Sequence, residues 1–599
     1  MGAQPGECLD EGSFQLTEHM ASNLSLAESA ERIAEHFAKI SQLYQPLDVS
    51  RLPKYVKDII EDTIYPFELP ILTEEEVWDK MEHAKKPKGG VPGDLPKKII
   101  KEFSPELAKP ATKIFQNIIN QQEWPSTWRT EYGIPLQKVK EPDNEDQLRI
   151  ISLTPFLSKI MEKFVMEWLL FYIGDRIDWR QYGGQKGSSI AHYLIEFINF
   201  ILYNQDLKEP RAVLAVMIDF SKAFNRQDHN ILLTLLCDLG VPGWLLRIVA
   251  SFLEDRELLL KYKGHTASSK KLPGGGPQGT VLGMFLFIVL INLIGFTNQE
   301  KEIGKMITKP LSKRKPMPSI HLKFIDDLSV AESLSLKKQL IPNPDTNQPR
   351  PLEFRNRTEH VLPESESKVQ DLLDRIMEYT VTHKMKVNSD KSKVMLFNSS
   401  RKFDFKPTLS LDSGNELNFV ESSKLLGIIL QSNLKWNLNT DSICTNAYAR
   451  IWMLRRLKLL GATEVELTDV YVKQVRCVVE LAVAVWSAGL TKSQAAQIER
   501  VQKTVCAVIL GDRHTDYKES LDTLDLKTLE ERRQELCSKF ALKSYRSDKY
   551  QHWFSNNNNN LPTRSVKTCV LPVSTRTRRF EKSPLPYLTT LLNDIQKQK

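Results

Sequence analysis

Three carboxylates stand at the ends of apolar runs. Asp219 follows Ala212 to Ile218, and the pair Asp326 and Asp327 follows Ile320 to Ile325, a run interrupted by His321 and Lys323. Between them in the chain lies a Gly-Gly-Gly-Pro-Gln-Gly turn, Gly274 to Gly279. Carboxylates gathered at strand ends repel one another and lose hydration, so the arrangement needs cations among them. A pair of divalent metals would supply that charge, and two metals held by carboxylates are the machinery of nucleotidyl transfer. The chemistry these residues point to is chain extension in a polymerase palm.

Positioning such groups takes strands that end together. Ala212 to Asp219 has no helical polar face and reads as a strand buried on both sides. Ile320 to Glu332 reads as a hairpin with the paired aspartates at its tip, and Ala223 to Leu239 as a helix stopped by Gly240. A helix over Gly279 to Ile294 is apolar nearly all round. Upstream, Ser25 to Leu43 carries apolar residues at helical spacing with a Ser25/Glu28 capping box, and Thr73 to Met81 repeats the signal with Glu76. Leu95 to Phe103 and Leu107 to Gln121 are amphipathic. Ile134 to Val139 and Arg149 to Leu153 read as strands, and Leu157 to Ile173 as a helix. Val369 to Thr380 is helical, Lys393 to Phe397 and Ser422 to Leu430 are short strands, and from Asn437 the pattern is helical through Leu510.

A chain of 599 residues exceeds one core, giving about three or four lobes. With 41% hydrophobic and 26% charged residues it is not a disordered chain, and a net charge of +8 permits a polyanionic partner without requiring one. Basic residues concentrate at Lys309 to Lys315 and Thr575 to Lys582. The former stretch fits a solvated loop, a contact to template phosphates, or a nuclear address. Seven scattered cysteines, never spaced Cys-x-x-Cys, argue for a reducing intracellular compartment and against a zinc finger. No secretory signal is expected, and Val281 to Phe296, with Asn292 inside it, suits a buried helix rather than a membrane span. Pro342 to Pro363 reads as a surface insertion and Asn556 to Asn560 as a solvated linker.

From about Trp124 to Leu510 these residues resemble the reverse transcriptase of non-LTR (LINE-type) retrotransposons. Ile134-Pro-Leu-Gln-Lys138 and Arg149-Ile-Ile-Ser-Leu153 are similar to its two finger strands, and Gln181-Tyr-Gly-Gly-Gln-Lys-Gly187 to the loop before the palm. Asp219-Phe-Ser-Lys-Ala-Phe224, Pro277-Gln-Gly-Thr-Val-Leu-Gly283, Phe324-Ile-Asp-Asp327 and Asn388-Ser-Asp-Lys391 follow its catalytic motifs in order. Lys424-Leu-Leu-Gly-Ile428 resembles the primer-contacting hairpin, with Leu426 and Gly427 at the primer.

The resemblance implies that Asp219 and Asp326 ligate two magnesium ions, with manganese as a substitute and Asp327 as a supporting carboxylate. Lys138 and Arg149 would clamp the dNTP triphosphate, Gln278 would orient the incoming nucleotide, and Lys391 would protonate pyrophosphate. Phe224 would exclude a 2′-hydroxyl by its bulk. Each has a plainer reading: Asp219 as a cap for a helix near Ser221, Asp326-Asp327 as a type I′ turn, Phe224 as core, Gln278 as loop, the three cations as surface residues. Capping explains one carboxylate and not three.

The implied fold is an α+β right hand. It comprises an N-terminal extension over 1–75, fingers over 76–211, a palm with an antiparallel sheet over 212–430, a helical thumb and connection over 431–545, and a basic, disordered tail over 546–599. The reverse transcriptase domain as a whole would run from about 118 to 430. The expected partners are an RNA template, a DNA primer or target, and dNTPs, with a separate endonuclease implied because none fits ahead of residue 76; no membrane is expected. Asn225 stands where the resemblance leads one to expect a further aspartate. A decayed or co-opted copy that binds nucleic acid without catalysis is therefore one alternative, and an RNA polymerase or intron maturase on the same palm another.

Overall fold

The computed structural model describes residues 24–62, 69–84, 90–294, 319–334, 336–338, 359–361, 363–398, 408–412, 415–554 and 570–597. The basic stretch Lys309 to Lys315, the interior of the Pro342 to Pro363 insertion and the Asn556 to Asn560 linker lie outside them. No described helix is long and apolar enough to cross a membrane.

Helix α1 (Leu26–Ser41) starts at the expected Ser25/Glu28 capping box. It lays Ala30, Ile33, Ala34 and Phe37 on a mixed sheet, in one apolar cluster with Leu148, Ile150, Leu258 and Leu260. That sheet is the antiparallel hairpin β1 (Thr130–Gln137) and β2 (Leu148–Leu153), extended by a strand from much later in the chain. The N-terminal residues expected to form a separate extension are thus built into the same layer as the β1–β2 hairpin.

Helix α2 (Phe156–Ile173) matches its expected span, whereas α3 (Ile190–Gln205), apolar on every face, has no counterpart among the expected elements. Strand β3 (Ala212–Phe220) explains its own unbroken apolarity, because both its faces are covered. Leu214, Val216 and Ile218 enter one core with α2, while Val213, Ala215 and Met217 enter a second with α3 and the C-terminal helices. Expected as one helix, Ala223 to Leu239 is instead a single tight turn at Ala223–Asn225 and then a helix over His229–Asp238. Asp228 sets the break, its carboxylate accepting from the N–H groups of Asn230 and Ile231.

Strand β4 (Glu257–Tyr262) runs parallel to β1, so residues 257–271 leave the expected palm span and join the other sheet. Helix α4 (Val281–Leu290) follows the Gly-rich turn, capped by Thr280. In the central sheet the order is β7 (Val387–Phe397), β3, β6 (Asp327–Leu334), β5 (Ser319–Phe324), all antiparallel, with Asn418–Phe419 added outside β7. Strands β8 (Ser422–Leu425) and β9 (Ile428–Gln431) form a separate hairpin.

The helical remainder includes α5 (Asn437–Leu459), α6 (Lys492–Leu510), α7 (Leu529–Tyr545) and α8 (Pro584–Lys597). The tail expected to be disordered over 546–599 is instead packed at both ends. Trp553, Phe554, Val570, Leu585, Leu588 and Leu592 are buried in the second core. Leu585, Leu588, Leu591 and Leu592 are at helical spacing in α8, and they find their core against α3 and α7.

Candidate active site

Antiparallel pairing brings the three carboxylates to one sheet end. Ile218 faces Leu328 across β3 and β6, so Asp219 and Asp327 are the next residues out. Phe324 pairs with Asp327, leaving Ile325 and Asp326 as the two-residue turn of the hairpin. Ile325 adopts φ 58°, a conformation that branched side chains avoid at a cost of about 1–3 kcal/mol.

That strain is held by the Gln181 to Gly187 loop. The Gln181 side-chain oxygen accepts from Ile325 N (3.0 Å) and from Gly183 N (2.9 Å). Tyr182 N donates to the Lys323 carbonyl at 2.8 Å, and Lys323 N to that of Arg180 at 3.0 Å. Gly183 has no room for a side chain, since a Cβ there would lie 2.5 Å from Ile325 Cγ1 and 2.6 Å from Ile325 N. Beneath, the fully buried Lys323 ammonium donates to Asp178 Oδ2 (2.8 Å) and to the Asn292 carbonyl (2.6 Å). From the packed tail, Lys549 donates to the Gln181 carbonyl at 2.8 Å.

One cleft of ≈ 570 Å³ gathers most of the sequence-predicted residues: Asp219, Asp326, Lys138, Arg149, Phe224, Gln278 and Lys391 all line it. Leu136 faces Arg149 across β1 and β2, and Lys138, two residues on, shares that face. Lys391 reaches the cleft because the register between β3 and β7 slips between Asn388 and Lys393, bulging out the residues between. Phe224 is set by the tight turn after β3, its ring 5.4 Å from that of Phe287 on α4. The Phe224 carbonyl accepts from Gly276 N (2.8 Å), and the Gln278 carbonyl from Ser152 N (2.9 Å), which ties the Gly-rich turn to both sheets. Gly275, at φ 88°, packs against the Phe224 and Asn225 backbone.

Charge is split across this cleft. Burial raises the Asp219 carboxyl above the ordinary range, with Lys391 and Lys138 pulling it back. Asp326 is solvent-exposed on its cleft side but crowded by protein on the other; desolvation raises it, as does Asp219. Asp327 is pushed up to about 7 by burial first and then by repulsion from Asp326 and Asp219. Opposite, desolvation and repulsion from Lys391 and Lys222 lower the Lys138 ammonium. Such an oxygen-only donor set, its ionised form disfavoured by burial and by its own neighbours, fits a hard divalent cation. Among the described residues no three His, Cys, Asp or Glu side chains already converge as a finished ligand cage.

Residues 139–344 match the family model described as reverse transcriptase (RNA-dependent DNA polymerase). Over 245 residues the chain is 30% identical to the RNA-directed DNA polymerase from mobile element jockey of Drosophila melanogaster, covering 40% of this chain and 26% of that protein. It is 22% identical over 357 residues to the probable RNA-directed DNA polymerase from transposon X-element of the same species, covering 57% and 34%. The jockey polymerase of Drosophila funebris is 24% identical over 369 residues, covering 61% and 36%. The chain is thus similar to the reverse transcriptases of non-LTR (LINE-type) mobile elements. It spans between about a quarter and just over a third of the length of these relatives. Among solved structures it is similar to the telomerase of Candida albicans in complex with a fragment of telomeric RNA. That match covers 72% of this chain and 62% of that one, at 11% identity and a TM-score of 0.34, a likeness too loose to support an argument. The family generally uses divalent metal ions.

Three of the sequence-predicted residues do not line the cleft: Asp327, beside Asp219 at the same sheet end, and the hairpin pair Leu426 and Gly427. Leu426 (φ 50°) and Gly427 (φ 89°) are the turn between β8 and β9, both left-handed as a two-residue hairpin requires. Neither lines the cleft, and a Cβ on Gly427 would meet Leu481. Conversely, sequence reasoning missed Lys222, Asp146 and helix α1. Lys222 pairs with Asp146 at 2.5 Å, His36 Nε2 lies 2.9 Å from Lys222 and 3.1 Å from Asp146, and Phe37 lines the cleft. Tyr44 and Ser41, just beyond, pack on Gly274 of the Gly-rich turn. Lys222 lies inside the Asp219 to Phe224 motif, but its left-handed backbone (φ 52°), which turns it to the cleft, has no sequence signal in a lysine.

Proposed function

We propose that this chain is an RNA-directed DNA polymerase of a non-LTR retroelement, extending a DNA primer on an RNA template from dNTPs. The observation that carries the reading is one cleft that Asp219, Asp326 and Lys391 line from the central sheet and Lys138 and Arg149 from the β1–β2 layer, with Phe224 and Gln278 also lining it. In right-hand terms the central sheet is the palm, the β1–β2 layer with α1 and β4 the fingers, and the helices from α5 onward the thumb and connection.

Two magnesium ions, replaceable by manganese, would be held by Asp219 and Asp326 with Asp327 in support, and would neutralise phosphate charge and favour deprotonation of the primer 3′-hydroxyl. The chain's own residues do the rest. Lys138 and Arg149 bind the triphosphate, the guanidinium as a two-pronged donor. Lys391 gives a proton to the departing pyrophosphate. Phe224 occupies the space a 2′-hydroxyl would need, and its contact with Phe287 keeps the ring from yielding. Gln278, fixed through its carbonyl to Ser152, orients the incoming nucleotide. Leu426 and Gly427 meet the primer backbone outside the nucleotide cleft.

Primer extension on poly(rA)/oligo(dT) with magnesium tests this reading. It expects dTTP incorporation that Asp326→Ala abolishes. Binding of the primer–template without extension, in magnesium and in manganese, would instead favour a copy that holds nucleic acid without catalysis, and preference for UTP would favour an RNA polymerase.

A further inference from the structure

A second cavity lies well away from the nucleotide cleft and shares no lining residue with it. It has a volume of ≈ 360 Å³, within the ~300–1,000 Å³ usual for ligand sites. Its floor is apolar, formed by Leu202 of α3, Leu434 and Trp436 beyond β9, and Pro584 of α8. Its rim carries Arg578, Arg579 and Lys582, all exposed, and no acidic side chain lines it.

The rim is built rather than loose. Asp206 at the end of α3 accepts from Arg576 N (2.8 Å), Thr577 N (2.6 Å) and the Thr577 hydroxyl (2.7 Å). Thr577 in turn caps the turn that carries Arg578 and Arg579, and Arg579 donates to the Asn433 carbonyl. One polar group on the lining is unaccounted for. Ser583 is 3% exposed, and among the described residues its hydroxyl has no hydrogen-bond partner. A buried donor left without a partner is destabilising, and a ligand oxygen would recover that loss.

Apolar floor, aromatic ring, cationic rim and a spare hydroxyl together match one chemical unit. We propose that this cavity anchors a nucleotide of single-stranded nucleic acid, the base set on the Trp436 floor and the phosphate held by Arg578, Lys582 and Ser583. The inference goes beyond the polymerase reading and does not depend on it, because no catalytic residue takes part.

Binding of a fluorescein-labelled oligouridylate, and of its DNA counterpart, is measured against salt concentration with the full chain. The double variant Arg578→Gln/Lys582→Gln should lower the log–log salt slope by about 0.7, the value for one single-strand phosphate no longer neutralised. Ser583→Ala removes only an unpartnered hydroxyl, so it should fold at least as well and yet bind several-fold more weakly. An effect on both strands assigns the site to the phosphate and base, and an effect on RNA alone adds the 2′-hydroxyl. A 5-iodouridine photocrosslink should map to Trp436 or to the 578–583 segment. Unchanged slope and affinity in both variants, or a crosslink confined to other regions, overturns the proposal. Single-turnover extension from saturating primer–template should keep its wild-type rate in the double variant, which separates failure of this site from failure of the polymerase reading.

Discussion

Gly183→Ala puts the brace behind the Ile325–Asp326 turn to a direct test. An alanine Cβ would sit 2.6 Å from Ile325 N, and about 0.8 Å of retreat is needed to reach ordinary contact at 3.4 Å. The Ile325 side chain can rotate away, but its backbone nitrogen cannot, because it is held to Gln181 and belongs to the turn bearing Asp326. Overpacking of this kind costs about 1–3 kcal/mol in stability. Its mechanical consequence matters more, since displacing a catalytic group by the order of 1 Å costs on the order of 100-fold in rate. Single-turnover extension should therefore fall by roughly that factor while primer–template affinity stays within about twofold. Gly184→Ala is the control. Its backbone is left-handed (φ 67°), and a Cβ would meet the flexible end of Ile288 rather than the turn. It should lose comparable stability with little loss of rate. An equal loss of rate in both variants, or a wild-type rate in Gly183→Ala, would remove the brace from the account.

Four further outcomes follow from the same geometry. Asp327, at about 7 when folded against 3.8 unfolded, is a raised acid, so its contribution to stability is fully present below pH 3.8 and is lost as pH rises through about 7. Thermal melts of the metal-free protein should show this decline, and Asp327→Asn should flatten it; a variant with an unchanged profile would move the repulsion elsewhere. Magnesium should raise the melting temperature more at pH 8 than at pH 6, because protons and the cation compete for the same oxygens, and equal shifts at the two pH values would count against these carboxylates as the metal's ligands. Phe224→Ala should admit ribonucleotides at least roughly tenfold more readily in competition assays, and unaltered dNTP/rNTP selectivity would return Phe224 to the core. Lys323→Met strands Asp178 in the interior, though Arg180 still pairs with it at 3.0 Å, so urea melts should show a loss near the lower end of the ~3–5 kcal/mol expected for a broken buried pair; less than about 1 kcal/mol would mean the pair is incidental.

The parts of this molecule that are legible in its sequence are those where one physical demand dominates a short window. Strand β3 had to be buried on both faces, and no other reading suits Ala212 to Ile218. Capping boxes at Ser25 and Thr73 announce helix starts because a hydroxyl and a glutamate three residues apart satisfy each other's backbone donors. The cleft residues Lys138, Arg149, Asp219, Phe224, Gln278, Asp326 and Lys391 all sit in short motifs whose order along the chain can be read directly. What stays hidden depends on long-range pairing or on backbone geometry without a residue signature. The pairing of β4 with β1 is a parallel contact across more than a hundred residues, and nothing in Glu257 to Tyr262 names its partner. Ile325 is strained, and an isoleucine gives no hint of a positive φ; only the loop from Gln181 to Gly183 makes it tolerable. His321 and Lys323 read as blemishes on an apolar strand, yet Lys323 is the buried charge that ties β5 to Asp178. The same reasoning explains the tail. Lys549 reads as one more basic residue near a disordered end, but its ammonium, desolvated enough to sit at about 8, reaches the loop that holds the Ile325–Asp326 turn. Contacts so distant in sequence can be inferred only once the sheet that creates both surfaces is in place.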